Sequence, residues 1–115
     1  MSTKASDIFF RLMEAAQDGG IGQCKRHIWL DSRGVETSAQ EAKEVCTVGL
    51  LCWGPVMGIS TPVESCHLFD LLGGSMKIVE LNDDLGWTFP DFYEYLKDKE
   101  AKEIESQPVE IHVRG

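Results

Sequence analysis

Ile8, Phe9, Leu12, Met13 and Ala16 recur at i, i+1, i+4, i+5 and i+8, the spacing of an apolar helical stripe. The stripe predicts a helix over 6–18, with Ser6 as N-cap, Asp7 in the positive first turn and Gly19-Gly20 as a left-handed exit. Ile28-Trp29-Leu30 then precedes Asp31-Ser32-Arg33-Gly34 and Val35-Glu36-Thr37. Aspartate first and glycine fourth suit a type I turn, so 25–37 predicts a β-hairpin.

Ser38-Ala39-Gln40-Glu41 matches a capping box and predicts a helix over 38–53, with Ala39, Ala42, Cys46, Gly49 and Trp53 stepping by three or four. Its second half is apolar all round, which places 45–53 at the centre of the core. The β-branched Val45, Thr47 and Val48 suit a buried strand equally, and periodicity does not separate the two readings. Gly54-Pro55 is expected to stop the element in either case. Thr61-Pro62-Val63-Glu64 is a second capping box, opening a helix over 62–72 that Gly73-Gly74 ends.

Met76 to Leu81 alternates like a strand, and Asn82-Asp83-Asp84-Leu85-Gly86 reads as a turn. Thr88-Phe89-Pro90-Asp91 starts a helix over 88–105 whose apolar face carries Phe89, Phe92, Tyr93, Leu96 and Ile104. Pro108 is expected to close it. Val109, Ile111 and Val113 then alternate with Glu110, His112 and Arg114, predicting a strand over 109–113. Such a strand must dock on the sheet of its own chain or of a second copy, which brings a homodimer into view. The pattern as a whole predicts one α+β domain over 1–115, about four helices packed with a small, mostly antiparallel sheet.

Composition sharpens this picture by exclusion. At 115 residues and 43% apolar content the chain supports a core without disulfides. The longest apolar run, Val45 to Trp53, is far short of the roughly 20 residues of a membrane span. The first residues lack the basic-then-apolar order of a secretory signal, which makes the cytoplasm the expected location. A formal charge of −8 repels phosphate backbones and disfavours nucleic acid as a partner. Cys24, Cys46, Cys52 and Cys66 lack Cys-x-x-Cys spacing, so a zinc ribbon is not expected. In a cytoplasmic setting they read as free thiols, and Cys46, Cys52 and Cys66 sit among apolar neighbours as small buried hydrophobes.

Cys46, His67 and Asn82 follow one another in the order used by papain-like enzymes, which makes them candidates for nucleophilic catalysis, with His27 as the alternative base. Glu41 and Glu44, just before Cys46, oppose formation of the thiolate, so a buried structural thiol is the favoured reading. Glu64, His67 and Asp70 share one helical face but supply too few converging ligands for a metal, and no metal or cofactor is expected. Asn82-Asp83-Asp84 lacks calcium-loop spacing. Nucleotide-loop, dinucleotide, serine-hydrolase and zincin motifs are absent from the sequence.

Cys46-Thr-Val-Gly-Leu-Leu51 and Val79-Glu-Leu-Asn-Asp83, followed by Thr88 and a helix to Glu105, resemble a family of small uncharacterised bacterial and phage proteins. That family has a Cys-Ala-Leu-Gly-Ala-like helix and a later Asn-Asp, Thr and terminal helix. The resemblance implies a helix over 38–53, a phage or bacterial origin (hence a host cytoplasm), and a shared role for Cys46, Asn82, Asp83 and Thr88. With Trp87 beside them, Asn82, Asp83 and Thr88 form the candidate binding set. Two functions follow as expectations. One is a non-enzymatic binding or regulatory factor with a protein partner, such as a phage accessory protein acting on a host protein. The other is a cysteine-dependent hydrolase or transferase using Cys46 with His67 or His27.

Overall fold

The computed structural model describes the backbone of residues 4–113 and the side chains of residues 4–102. Helix α1 (Ala5–Asp18) buries Ile8, Phe9, Leu12 and Ala16, the expected stripe, and leaves through Gly20 at φ 71°. It packs against α5 (Phe89–Val113), where Phe92 and Leu96 are fully buried and ring pairs Phe9–Phe92 and Phe10–Tyr93 stand 6.2 and 5.4 Å apart. The first turn of α1 departs from expectation. Its N-cap is Lys4, which offers no side-chain acceptor, and Ser6 lies inside the helix. The acceptor comes from α5 instead: four residues beyond Leu96, the Glu100 carboxylate accepts the Ser6 amide at 3.0 Å and the Ser6 hydroxyl at 2.6 Å. A carboxylate there meets both the orphan amide and the positive end of the helix.

Three two-residue strands, β1 (Gly22–Gln23), β2 (Trp29–Leu30) and β3 (Glu44–Val45), form a mixed sheet in the order β1-β3-β2, with β1 parallel and β2 antiparallel to β3. The expected hairpin at 25–37 survives around its turn. Gly34 donates to the Asp31 carbonyl at 3.0 Å, Asp31 to Val35 at 2.8 Å, and Leu30 bridges Glu36. The Asp31 carboxyl accepts the Val35 and Arg33 amides, which hold it below the usual carboxylate range.

The single helix expected over 38–53 is replaced by three elements. A 3₁₀ turn (Ala39–Glu41) leads into β3, and α2 (Thr47–Val56) starts only at Thr47. Val45 pairs with both neighbouring strands, so its β-branched preference prevails over the helical spacing of Ala39, Ala42 and Cys46. Leu50, Leu51 and Trp53 are buried as expected, while Cys52 faces outward. Gly49 is required by packing, because a Cβ there would run into the Ile28 carbonyl. Nor does Gly54-Pro55 stop the helix, since Pro55 lies inside α2. Proline removes the bond that the Leu51 carbonyl would receive, and the Ser65 hydroxyl of α3 (Pro62–Leu71) supplies it at 2.8 Å. Helix α3 begins with the expected capping box, Glu64 amide to Thr61 Oγ1 at 3.1 Å and Thr61 amide to Glu64 Oε1 at 2.9 Å.

The strand expected over 76–81 is instead helical, α4 (Ser75–Val79) running into a π turn at Glu80–Asp84. Alternation would set Met76 and Ile78 on one face, yet Met76 is 86% exposed and Ile78 is fully buried. The inward positions Ile78, Leu81 and Asn82 follow helical spacing. The strand expected over 109–113 is also corrected: α5 continues through Pro108 to Val113, and the side chains of 109–113 lie outside the described residues. Extending a formed helix adds one bond per residue, whereas a strand needs a long edge, and the edges here are two residues long. The homodimer argued from a docked strand thereby loses its premise. The class is α+β, with five helices and a three-stranded mixed sheet among the described residues.

Glu100→Ala is expected to lower the unfolding free energy by about 1–2 kcal/mol in urea titration, because it strips the acceptor from the start of α1. Glu94→Ala, on the exposed side of the same helix, should change it by less than about 0.5 kcal/mol.

Candidate functional site

Strands β1 and β3 pair through Gly22 N–H to Lys43 O and Cys24 N–H to Val45 O, both 2.9 Å. The next rung of a parallel ladder would join the Cys24 carbonyl to the Thr47 amide. Asn82 takes that place. Its Nδ2 donates to the Cys24 carbonyl at 3.0 Å and its Oδ1 accepts the Thr47 amide at 3.1 Å, so the carboxamide stands between the chains as a peptide unit would. Oδ1 also accepts the Thr47 hydroxyl at 2.8 Å and Gln23 Nε2 at 2.7 Å, while Nδ2 donates to Asp83 Oδ1 at 2.8 Å. Asn82 is 1% exposed, and a carboxamide so deep requires partners of this number.

Gln23 extends the network to α5. Its Nε2 donates to the Trp87 carbonyl at 2.8 Å and its Oε1 accepts the Phe89 amide at 2.9 Å, capping the helix. Thr88 and Asp91 add a reciprocal box, Thr88 amide to Asp91 Oδ2 at 2.8 Å and Asp91 amide to Thr88 Oγ1 at 3.4 Å. Trp87 packs edge-on against Phe92, centroids 5.2 Å apart. Asn82, Asp83, Trp87 and Thr88 are thus joined in one region, and these polar contacts are made within the chain. Thr47 and Gln23, which hold them there, carry no sequence signal of that role.

Beside this network lies a groove of about 230 Å³. Ile28, Val48 and Val79 give it apolar walls, Cys46 borders it, and Arg26, His27, Glu36 and Asp83 bring polar groups to it. His27 Nδ1 meets Glu36 Oε2 at 3.0 Å. Arg26 has the left-handed φ of 68°, held by its amide bond to Asp83 Oδ1 at 3.0 Å. Cys46 and His27 therefore share a groove. His67 is not among its lining residues and sits on the exposed side of α3, near a Glu64 carboxylate already engaged by the Thr61 amide and by Arg11 at 3.1 Å. No group of three His, Cys, Asp or Glu residues converges on a metal position among the described residues.

Cys46 is the N-cap of α2, its sulfur accepting the Gly49 amide at 3.3 Å. Burial pushes its thiol up; the Gly49 and Val48 amides pull the other way without reversing the shift, and the Asp83 charge adds to it. Cys24 is pushed up to about 12 by burial first, then by Cys46, Glu44 and Asp83. Both are thiols rather than thiolates at neutral pH, the state least suited to attack. The expected burial of Cys52 and Cys66 is corrected, because their helices turn both outward. No family model, curated protein or solved structure matches the chain.

Asn82→Leu would leave the buried Cys24 carbonyl and Thr47 amide without this partner, and an unfolding free energy lower by about 2–5 kcal/mol is expected in urea. Iodoacetamide at pH 7.5 should label Cys52 and Cys66 first, with Cys24 and Cys46 reacting far more slowly, as read by mass spectrometry of digested protein. Cys46→Ser should be within about 1 kcal/mol of neutral, since serine is a good N-cap and the Gly49 amide is there to receive its oxygen.

Proposed function

We propose that the protein is a non-catalytic binding factor that docks an apolar segment of a protein partner along the outer face of α2 and the groove beside it. The observation that carries this reading is the composition of α2, which has no charged side chain in its ten residues although Cys52 and Val56 face outward. A helix on a wet surface ordinarily places charge on that side. Val48, one turn before Cys52, belongs to both the helix and the groove, so the apolar surface passes from one to the other. Ile28 and Val79 on the groove walls are 47% and 43% exposed, which leaves their apolar atoms within reach of a partner. The mixed charges of Arg26, His27, Glu36 and Asp83 form the polar border that interfaces use for orientation. In the setting the resemblance implies, the partner would be a host protein. The raised thiol of Cys46 favours binding over a cysteine-dependent reaction with His27.

The test compares capture of proteins from the source cell's lysate by the wild type, by Val56→Lys/Val79→Lys, and by Val63→Lys, which alters an exposed valine of α3. A partner retained by wild type and Val63→Lys but at least about tenfold weaker on the double variant, about 1.4 kcal/mol, supports the reading. Equal retention by all three, or turnover of an ester substrate that vanishes in Cys46→Ser, overturns it.

A further inference from the structure

Cys24 and Cys46 occupy the next step of the β1–β3 register. Gly22 is paired with Glu44 and Gln23 with Val45, so the same register carried one residue further sets Cys24 opposite Cys46. The Cys24 amide still bonds the Val45 carbonyl at 2.9 Å, while the Asn82 carboxamide enters only beyond them, between the Cys24 carbonyl and the Thr47 amide. Carried one step further, the ladder spacing of about 4.8 Å falls within the Cα separation of about 4.4–6.8 Å that a disulfide bridges. Both side chains are buried in one small cluster with Leu30, apart from the main core. Cys46 is the largest influence after burial on the Cys24 thiol. Cys46 alone of the two borders the groove, which gives a small reactant a way in.

We propose that Cys24 and Cys46 form a reversible intramolecular disulfide when the protein meets a hydroperoxide. The Cys46 sulfur, on losing its proton, attacks one peroxide oxygen; the O–O bond breaks and, for hydrogen peroxide, one water leaves with a Cys46 sulfenic acid in place. The Cys24 sulfur then attacks the Cys46 sulfur, the S–O bond breaks and the hydroxyl departs as a second water. Two thiols are oxidised to one disulfide and one peroxide is reduced to two waters. The bond ties β1 to β3 where their ladder ends and draws the Cys46 sulfur away from the Gly49 amide at the start of α2. The proposal is independent of what fills the groove.

The test uses Cys52→Ser/Cys66→Ser, which removes the two exposed thiols and leaves the pair. Folded protein is exposed to hydrogen peroxide at pH 7 and pH 8, alkylated, digested and weighed. The expected result is coordinated loss of both thiols, a mass lower by two hydrogens, a peptide joining Cys24 to Cys46, and full recovery with dithiothreitol. The rate should rise about tenfold between the two pH values, because the attacking thiolate is scarce in both. A Cys46 sulfinic acid accumulating beside an intact Cys24 thiol overturns the proposal. So do links only between molecules, or a native protein that stays reduced while its urea-unfolded form oxidises.

Discussion

The carboxamide of Asn82, seated where a rung of the parallel ladder would be, is the constraint on which the centre of the structure depends. A sheet of three two-residue strands has too few bonds to hold its own register. Asn82 supplies the continuation from a different part of the chain, and its burial makes the arrangement stringent, because any displacement leaves several buried groups unpaired at once. Gln23 carries the same constraint to the first amide of α5, so sheet, α2 and α5 are located relative to one another by two adjoining amide side chains.

The same solution recurs elsewhere. Ser6 and the start of α1 are served by Glu100, the Leu51 carbonyl released by Pro55 is served by Ser65, and the start of α5 by Gln23. Among the described residues no buried side-chain nitrogen or oxygen lacks a partner. Elements whose ends are satisfied nearby were legible from sequence for that reason: the Thr61–Glu64 box, the Thr88–Asp91 box and the Asp31–Gly34 turn all involve residues three apart. Elements whose ends are satisfied across the fold were not. Ser6 looks like an N-cap because local chemistry permits it, and Pro55 looks like a terminator because nothing nearby announces Ser65.

Misread periodicity has a related cause. Val45 is a strand residue only because Gln23 and Trp29 lie on either side of it, and neither is adjacent in sequence. Residues 76–81 alternate in hydropathy by coincidence of a short window, and the burial of Ile78, Leu81 and Asn82 follows the helical period. At the candidate site, Cys46, Asn82 and Asp83 stood out as chemically interesting, and the structure does gather them. It gathers them with His27, the alternative base, and with Gln23 and Thr47, whose place there is set by the β1–β3 pairing, which no spacing rule reveals.

The bond between Ser6 and Glu100 closes over a separation of 94 residues. In order of synthesis α1 precedes α5, so its opening turn is made long before Glu100, the acceptor it uses. The ladder between β1 and β3 likewise waits for residue 82. A chain that stops before Asn82 therefore lacks the group that completes the ladder, and one that stops before Glu100 lacks the acceptor at the start of α1, so neither end of the fold is finished by local sequence alone.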